Sequence, residues 1–275
     1  MGQPVRICRD TWAITQLEQA PPLGSIFLNS AVVMAREPVV IDTGTAVNRE
    51  SWLAQLGSLV DPADVRWIFI SHDDVDHTGN LVPLLELCPR ATVLTSWFAV
   101  GRMLVEQGLA LPMDRVRFVN DGDAVDVGDR VLRAVLPPVY DNPTTRGLFD
   151  PATGFYWGAD SFASPVPEFL PEADDLPGEH WREGFLALQR MLSPWHTLLD
   201  HHRYGAAVDR VQSLPITVAA GAHGPLVRGE RIADAFRMFR ELPHTGALAP
   251  FTQSDLEHWM AAAATTTAPE LQEMP

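Results

Sequence analysis

Short apolar runs ended by turn residues alternate along most of this chain with stretches of helical period. Residues 25–35 and 38–41 read as strands, the second running into the turn Asp42-Thr43-Gly44. Residues 51–59 carry an amphipathic helical pattern. Residues 66–70 form a short apolar strand that leads into Ser71-His72. A helix over 81–88, a strand over 91–95 and a helix over 98–107 follow. Residues 115–137 read as strands joined by Asp-Gly and Gly-Asp turns. Residues 154–158 are a strand ending at Ala159-Asp160, and the acidic, proline-rich stretch 165–177 is a surface loop. Residues 183–212 are helical with a break at Pro194. A strand over 216–220 ends at Gly221-Ala222-His223-Gly224, and a helix over 231–242 closes the pattern. This alternation predicts an α/β fold with neither an internal repeat nor a central linker. One domain is expected over residues 1–255, followed by a disordered tail over 256–275 that turns alanine- and threonine-rich at 261.

Composition narrows the function classes. With 275 residues and 46% apolar content, the chain can bury a sizeable core. All 20 basic residues are arginine, so no mechanism needing a lysine is open to it. The net charge of −15 repels phosphate backbones and anionic lipid, which argues against nucleic-acid and membrane-surface partners. Cys8 and Cys88 lack metal-ribbon spacing; a single disulfide is open to them, but buried free thiols of a reducing compartment are the expectation. No stretch has the roughly 20 apolar residues of a membrane span, and residues 1–20 hold no signal-peptide run. A cytoplasmic protein is the expectation.

The chemistry is concentrated in Ser71-His72-Asp73-Asp74-Val75-Asp76-His77-Thr78-Gly79-Asn80, with a histidine at each end and three acids between them. Imidazole with carboxylate suits zinc, iron or manganese. His72, Asp160 and His223 each follow a predicted strand, and loops at strand ends on a rigid sheet are where sites are usually built.

The pattern His72-x-Asp74-x-Asp76-His77 resembles the first metal motif of the metallo-β-lactamase superfamily. Hydrolases of that superfamily carry H-x-H-x-D-H, whereas flavodiiron proteins and their stand-alone oxygen-binding relatives carry a carboxylate at the third position, as Asp74 does here. Asp42-Thr43-Gly44, Asp160 in Trp157-Gly158-Ala159-Asp160-Ser161-Phe162, and His223 in Ala222-His223-Gly224-Pro225 match later motifs in order. The resemblance implies a four-layer αβ/βα sandwich. It further implies a first metal position with His72, Asp74 and Asp160, and a second with Asp76, His77, His223 and Asp160. One family histidine is missing: aligning Asp141 with the family's H-W-P-D-S-like segment places Pro138 where that histidine stands. Tyr140 and Asp141 are open as substitutes. His196 and His202 either line a pocket over the metals, or one of them replaces the missing ligand, or they are plain surface or core residues. Asp42 and Asp73 are either outer partners of ligating imidazoles or turn and cap residues.

The resemblance implies a metal-dependent protein, with two iron ions or alternatively zinc; lacking the histidine, the first position is expected to be weakly held or empty. It would bind O₂ or NO, or act on them as an oxidoreductase. No flavodoxin-like segment follows the domain in this sequence, so reductase activity would need an external electron-donor protein. The alternative is a hydrolase in which a metal-bound hydroxide attacks an ester, thioester, lactone or amide. A homo-oligomeric state is open.

Overall fold

The structure, a computed structural model, describes residues 3–20 and 23–266. Its strands β1 (Val5–Cys8), β2 (Thr11–Gln19), β3 (Ser25–Val33), β4 (Val39–Ile41), β5 (Trp67–Phe69), β6 (Thr92–Thr95) and β7 (Val116–Phe118) form one sheet in sequence order. The second sheet has the order β13 (Val227–Arg228), β12 (Val218–Ala220), β11 (Phe155–Trp157), β10 (Gly147–Asp150), β9 (Val131–Val135), β8 (Ala124–Asp126). β4 to β7 run parallel, as do β11 and β12.

Strand alternation divides the apolar residues among three layers. In β4, Val39 and Ile41 face the space between the sheets while Val40 faces the helices on the outer side. In β11, Phe155 and Trp157 face inward between the sheets and Tyr156 outward. Strands buried on both faces need apolar residues at every position, which is why these segments read as unbroken apolar runs. Helices α1 (Arg49–Leu59), α3 (Leu81–Leu87) and α4 (Trp97–Val105) cover the first sheet with Trp52, Leu56, Leu84 and Met103. Helices α5 (Gly178–Leu192), α6 (His201–Gln212) and α7 (Glu230–Glu241) cover the second with Trp181, Phe185, Val208 and Phe239. The result is helix, sheet, sheet, helix: the four-layer αβ/βα sandwich expected from the resemblance.

Several boundaries differ from the sequence pattern for local reasons. The helical stretch 183–212 is two helices, because Pro194 cannot continue α5 and opens a short 3₁₀ segment, Pro194–Leu198. α6 then restarts where the Asp200 carboxylate accepts from the Arg203 amide at 2.9 Å. The loop 165–177 is tied into both sheets through bridges of Val166 to Ser25 and Glu172 to Leu226. Strands β1, β2 and β10 are not apparent in the sequence pattern. A helix, Gln253–Thr266, runs across the start of the span expected as a tail, and residues 267–275 lie outside the described residues. Cys8 and Cys88 are free, and burial pushes the Cys88 thiol up to about 12, so it stays protonated. Among the described residues no helix is long and apolar enough to cross a membrane.

Candidate metal centre

The site lies at one edge of the sandwich, where strands of both sheets end. His72 follows β5, Asp160 follows β11, His223 follows β12 and Asp141 follows β9. After His72 the chain turns into the one-turn helix α2 (Val75–Thr78), which brings Asp76 and His77 back toward His72. Thr43 locks that turn, its hydroxyl donating to the His77 carbonyl at 2.8 Å, and Asn80 donates to the Thr43 carbonyl at 2.7 Å. Two glycines permit the close chain approaches. A Cβ on Gly221 would stand 2.3 Å from the Ser161 carbonyl oxygen, and one on Gly79 would stand 2.4 Å from the Ala46 amide nitrogen. Ala159, beside Asp160, and Asp42 hold φ values of 52° and 56°, conformations that cost energy in non-glycine residues and mark sites the surrounding fold must enforce.

All six residues singled out by sequence converge. His72 Nε2 is 3.6 Å from Asp74 and 3.7 Å from Asp160. His77 Nε2 is 3.2 Å from Asp160 Oδ1 and 3.6 Å from Asp76. His223 Nε2 is 3.1 Å from Asp76 and 3.3 Å from Asp160 Oδ2. Asp160 therefore stands between the three imidazoles, with Oδ1 toward His77 and Oδ2 toward both His72 and His223. Three triads of donor atoms, each within 4.8 Å of one another, fill the edge: His72, His77 and Asp160; Asp76, His77 and His223; and His72, Asp74 and Asp141.

His72 Nε2, His77 Nε2, Asp141 Oδ1 and Asp160 Oδ1 are buried without a hydrogen-bond partner. Buried polar atoms are nearly always satisfied, so several such atoms in one cluster of imidazoles and carboxylates fit the binding of a cation. Several donor separations exceed a hydrogen bond and approach two metal–ligand bonds of about 2.1 Å placed end to end. The residues fit metal binding.

The far sides of the rings are held. His77 Nδ1 lies 3.0 Å from Asp42 Oδ2, and His223 Nδ1 lies 3.0 Å from the Phe27 carbonyl oxygen. A carboxylate or carbonyl accepts from an Nδ1–H, which leaves Nε2 as the free lone pair pointing inward. Asp42 also accepts from the Ser71 amide and hydroxyl, each at 2.7 Å, and from Trp157 Nε1 at 3.1 Å. Of the two roles open to Asp42, the outer partner is the one the structure displays. Asp73 takes neither an imidazole nor a cap: it pairs with Arg102 at 3.2 Å and accepts from the Thr144 hydroxyl at 2.7 Å.

Electrostatics without a metal are those of a compressed zwitterion. Burial by itself lowers the His77 imidazolium, but Asp160, Asp42 and Asp76 outweigh it and hold it well above its ordinary range. His223 follows the same balance and is pushed up to about 10. Burial opposes ionisation of Asp160, yet His223, His72 and His77 hold its carboxyl well below the usual range. Asp141 is raised, by burial first and then by the negative charges of Asp160 and Asp74. Protons here occupy the place of cationic charge, and metal binding would release them.

The remaining candidates sort cleanly. Pro138 and Tyr140 line a cavity of about 380 Å³ with Trp195, Leu199 and Tyr204, whereas Asp141 reaches 4.0 Å from His72 Nε2. His196 is buried with Nδ1 3.0 Å from the Ser193 carbonyl, and His202 is exposed. Neither belongs to a group of potential metal ligands among the described residues. Phe155, Tyr156 and Trp157 are core residues, and only Trp157 touches the site's support. Asn142, which donates to Asp74 Oδ1 at 3.1 Å, Thr144 and Arg102 carry no sequence signal for these roles, because their partners lie on other strands' loops.

A four-layer αβ/βα sandwich with histidine and aspartate side chains gathered at its strand-end edge defines a metallo-β-lactamase-like protein. Residues 28–224 match the family described as ODP family beta lactamase, and the chain belongs to that family. It is 31% identical over 201 residues to a putative diflavin flavoprotein A 2 from Nostoc sp., covering 72% of this chain and 33% of the relative. Among solved structures, rubredoxin oxygen:oxidoreductase from Desulfovibrio gigas superposes with a TM-score of 0.77 at 18% identity, covering 88% of this chain and 62% of the other. The flavodiiron protein from Giardia intestinalis gives 0.75 at 16% identity, covering 88% and 60%. The chain thus spans about a third of the length of the first curated relatives it matches.

Proposed function

We propose that this chain is a di-iron oxidoreductase domain that binds and reduces O₂ or NO, with electrons delivered by a separate donor. The observation that carries the reading is the ligand set itself: Asp160 placed between His72, His77 and His223, with the carboxylate of Asp74 rather than an imidazole at the third position of the motif. His72, Asp74 and Asp160 would hold the first ion, and Asp76, His77, His223 and Asp160 the second. Two ferrous ions in such a set supply electrons and open coordination positions for a diatomic gas. Oxygen-rich donors favour iron and manganese over softer metals. The names of the relatives, an oxygen:oxidoreductase and a flavodiiron protein, support the same reading.

This chain's residues contribute orientation and charge. Asp42 and the Phe27 carbonyl keep two imidazoles in the ligating tautomer. Asn142 steadies Asp74. The test is metal analysis of protein purified without oxygen, followed by reductant-dependent gas consumption. Two irons per chain with donor-driven loss of O₂ or NO is the expected result. Zinc alone, with hydrolysis of an ester, thioester or lactone, would replace this reading with the hydrolase.

A further inference from the structure

Resting on the reading of a metal pair, we propose that Asp141 is the fourth ligand of the first metal position. That position is then built from one imidazole and three carboxylates, beside a second built from two imidazoles and two carboxylates. The sequence alignment leaves a proline, Pro138, where the family has a histidine. In the fold, the segment that follows β9 turns Pro138 and Tyr140 toward the cavity beside α6 and delivers the next side chain, Asp141, to the metal edge. Its Oδ2 stands 4.0 Å from His72 Nε2, and Asp74 and Asp160 stand 3.6 and 3.7 Å from the same nitrogen. Three carboxylates thus surround one imidazole nitrogen at nearly equal distance, all outside hydrogen-bond range.

Two independent features separate this from a chance acidic cluster. His72 is fully buried, and its Nε2, facing these oxygens, has no hydrogen-bond partner. Asp141 Oδ1 is likewise buried without one. The surrounding loop is pinned to the same metal motif: Asn142 donates to Asp74, Thr144 to Asp73, and the Arg146 amide to the Ser71 carbonyl at 2.7 Å. Asp141 is therefore delivered by a braced segment, as a ligand must be.

The exchange alters what the centre prefers. Four carboxylates, those of Asp74, Asp76, Asp141 and Asp160, balance two divalent ions in charge. The first position, with three oxygen donors, becomes the harder of the two and favours Mn²⁺ or Fe²⁺ over Zn²⁺, while the second tolerates either.

The experiment uses Mn²⁺ as the probe on the full chain stripped of metal. Wild type should bind two ions per chain and show the exchange-coupled paramagnetic resonance signal of a carboxylate-bridged pair. Asp141→Ala should bind one ion tightly, lose at least roughly 100-fold in affinity for the other, and show the six-line signal of isolated Mn²⁺. Asp141→His should restore two ions per chain and shift the first position toward Zn²⁺ in competition. Thermal melting of the metal-free variants checks that they fold, and Asp141→Glu serves as the conservative replacement. Two tight ions and a coupled signal in Asp141→Ala would overturn the assignment while leaving the metal pair intact. Fewer than two ions in wild type would overturn the pair, and the assignment with it.

Discussion

Asp42 carries no metal, yet its replacement by asparagine should disable the second metal position. The carboxylate sits fully buried and accepts four hydrogen bonds: the Ser71 amide on Oδ1, and the Ser71 hydroxyl, His77 Nδ1 and Trp157 Nε1 around Oδ2. Asparagine keeps the shape and tolerates the φ of 56° better than almost any other residue. It cannot keep the acceptors. With its carbonyl toward the Ser71 amide, its NH₂ faces His77 Nδ1 and the Trp157 N–H. His77 must then accept at Nδ1, which places its proton on Nε2 and removes the lone pair that would bind metal. With the amide flipped, the NH₂ meets the Ser71 N–H instead. Either way one or two buried donors lose their acceptor, at about 1–3 kcal/mol each. Outer-partner losses of this kind weaken metal affinity by about 10–100-fold, or roughly 1.4–2.8 kcal/mol. Titration of metal-free Asp42→Asn with Mn²⁺ against a chromophoric chelator would measure the second-position affinity directly. If that affinity matched wild type, the argument from tautomer to ligand would be wrong.

Three further outcomes follow from the same geometry. His77→Ala and His223→Ala should each strip most metal from the second position, because water replaces an imidazole nitrogen poorly; full metal content in either by elemental analysis would break the ligand assignment. In the metal-free protein, His223 rises from an ordinary 6.5 to about 10 on folding, so the stability it contributes is complete below pH 6.5 and is lost as pH rises toward 10. Metal-bound imidazoles must instead be neutral, so the melting temperature of the metal-free protein should fall over that interval while its gap to the metal-loaded protein widens; a metal-free melting temperature that climbed across the interval would contradict this. Gly221→Ala should cost about 3 kcal/mol and lower metal occupancy, since its Cβ would press on the carbonyl oxygens of Ser161 and Ala159, the two neighbours of Asp160; unchanged thermal melting would show that the chain relaxes freely there.

The apolar runs at β4, β5, β11 and β12 were legible because strands buried on both faces must be apolar throughout, and that requirement is local. The grouping of His72 to His77 was legible for the same reason: one strand end, one loop and one helical turn bring these side chains together. Asp160 and His223 could be named because each closes such a strand. What the sequence left open depended on contacts between distant segments. β2 gains its identity by pairing along β3 and β1 by pairing with β2, and the choice between the two roles of Asp42 waited on β4, β5 and β11 ending side by side. The gap at Pro138 is of this kind. A linear alignment compares positions one by one, whereas a ligand is defined by where its oxygen lies. Only the path of the chain after β9 decides that Asp141, and neither Tyr140 nor His196, comes to His72.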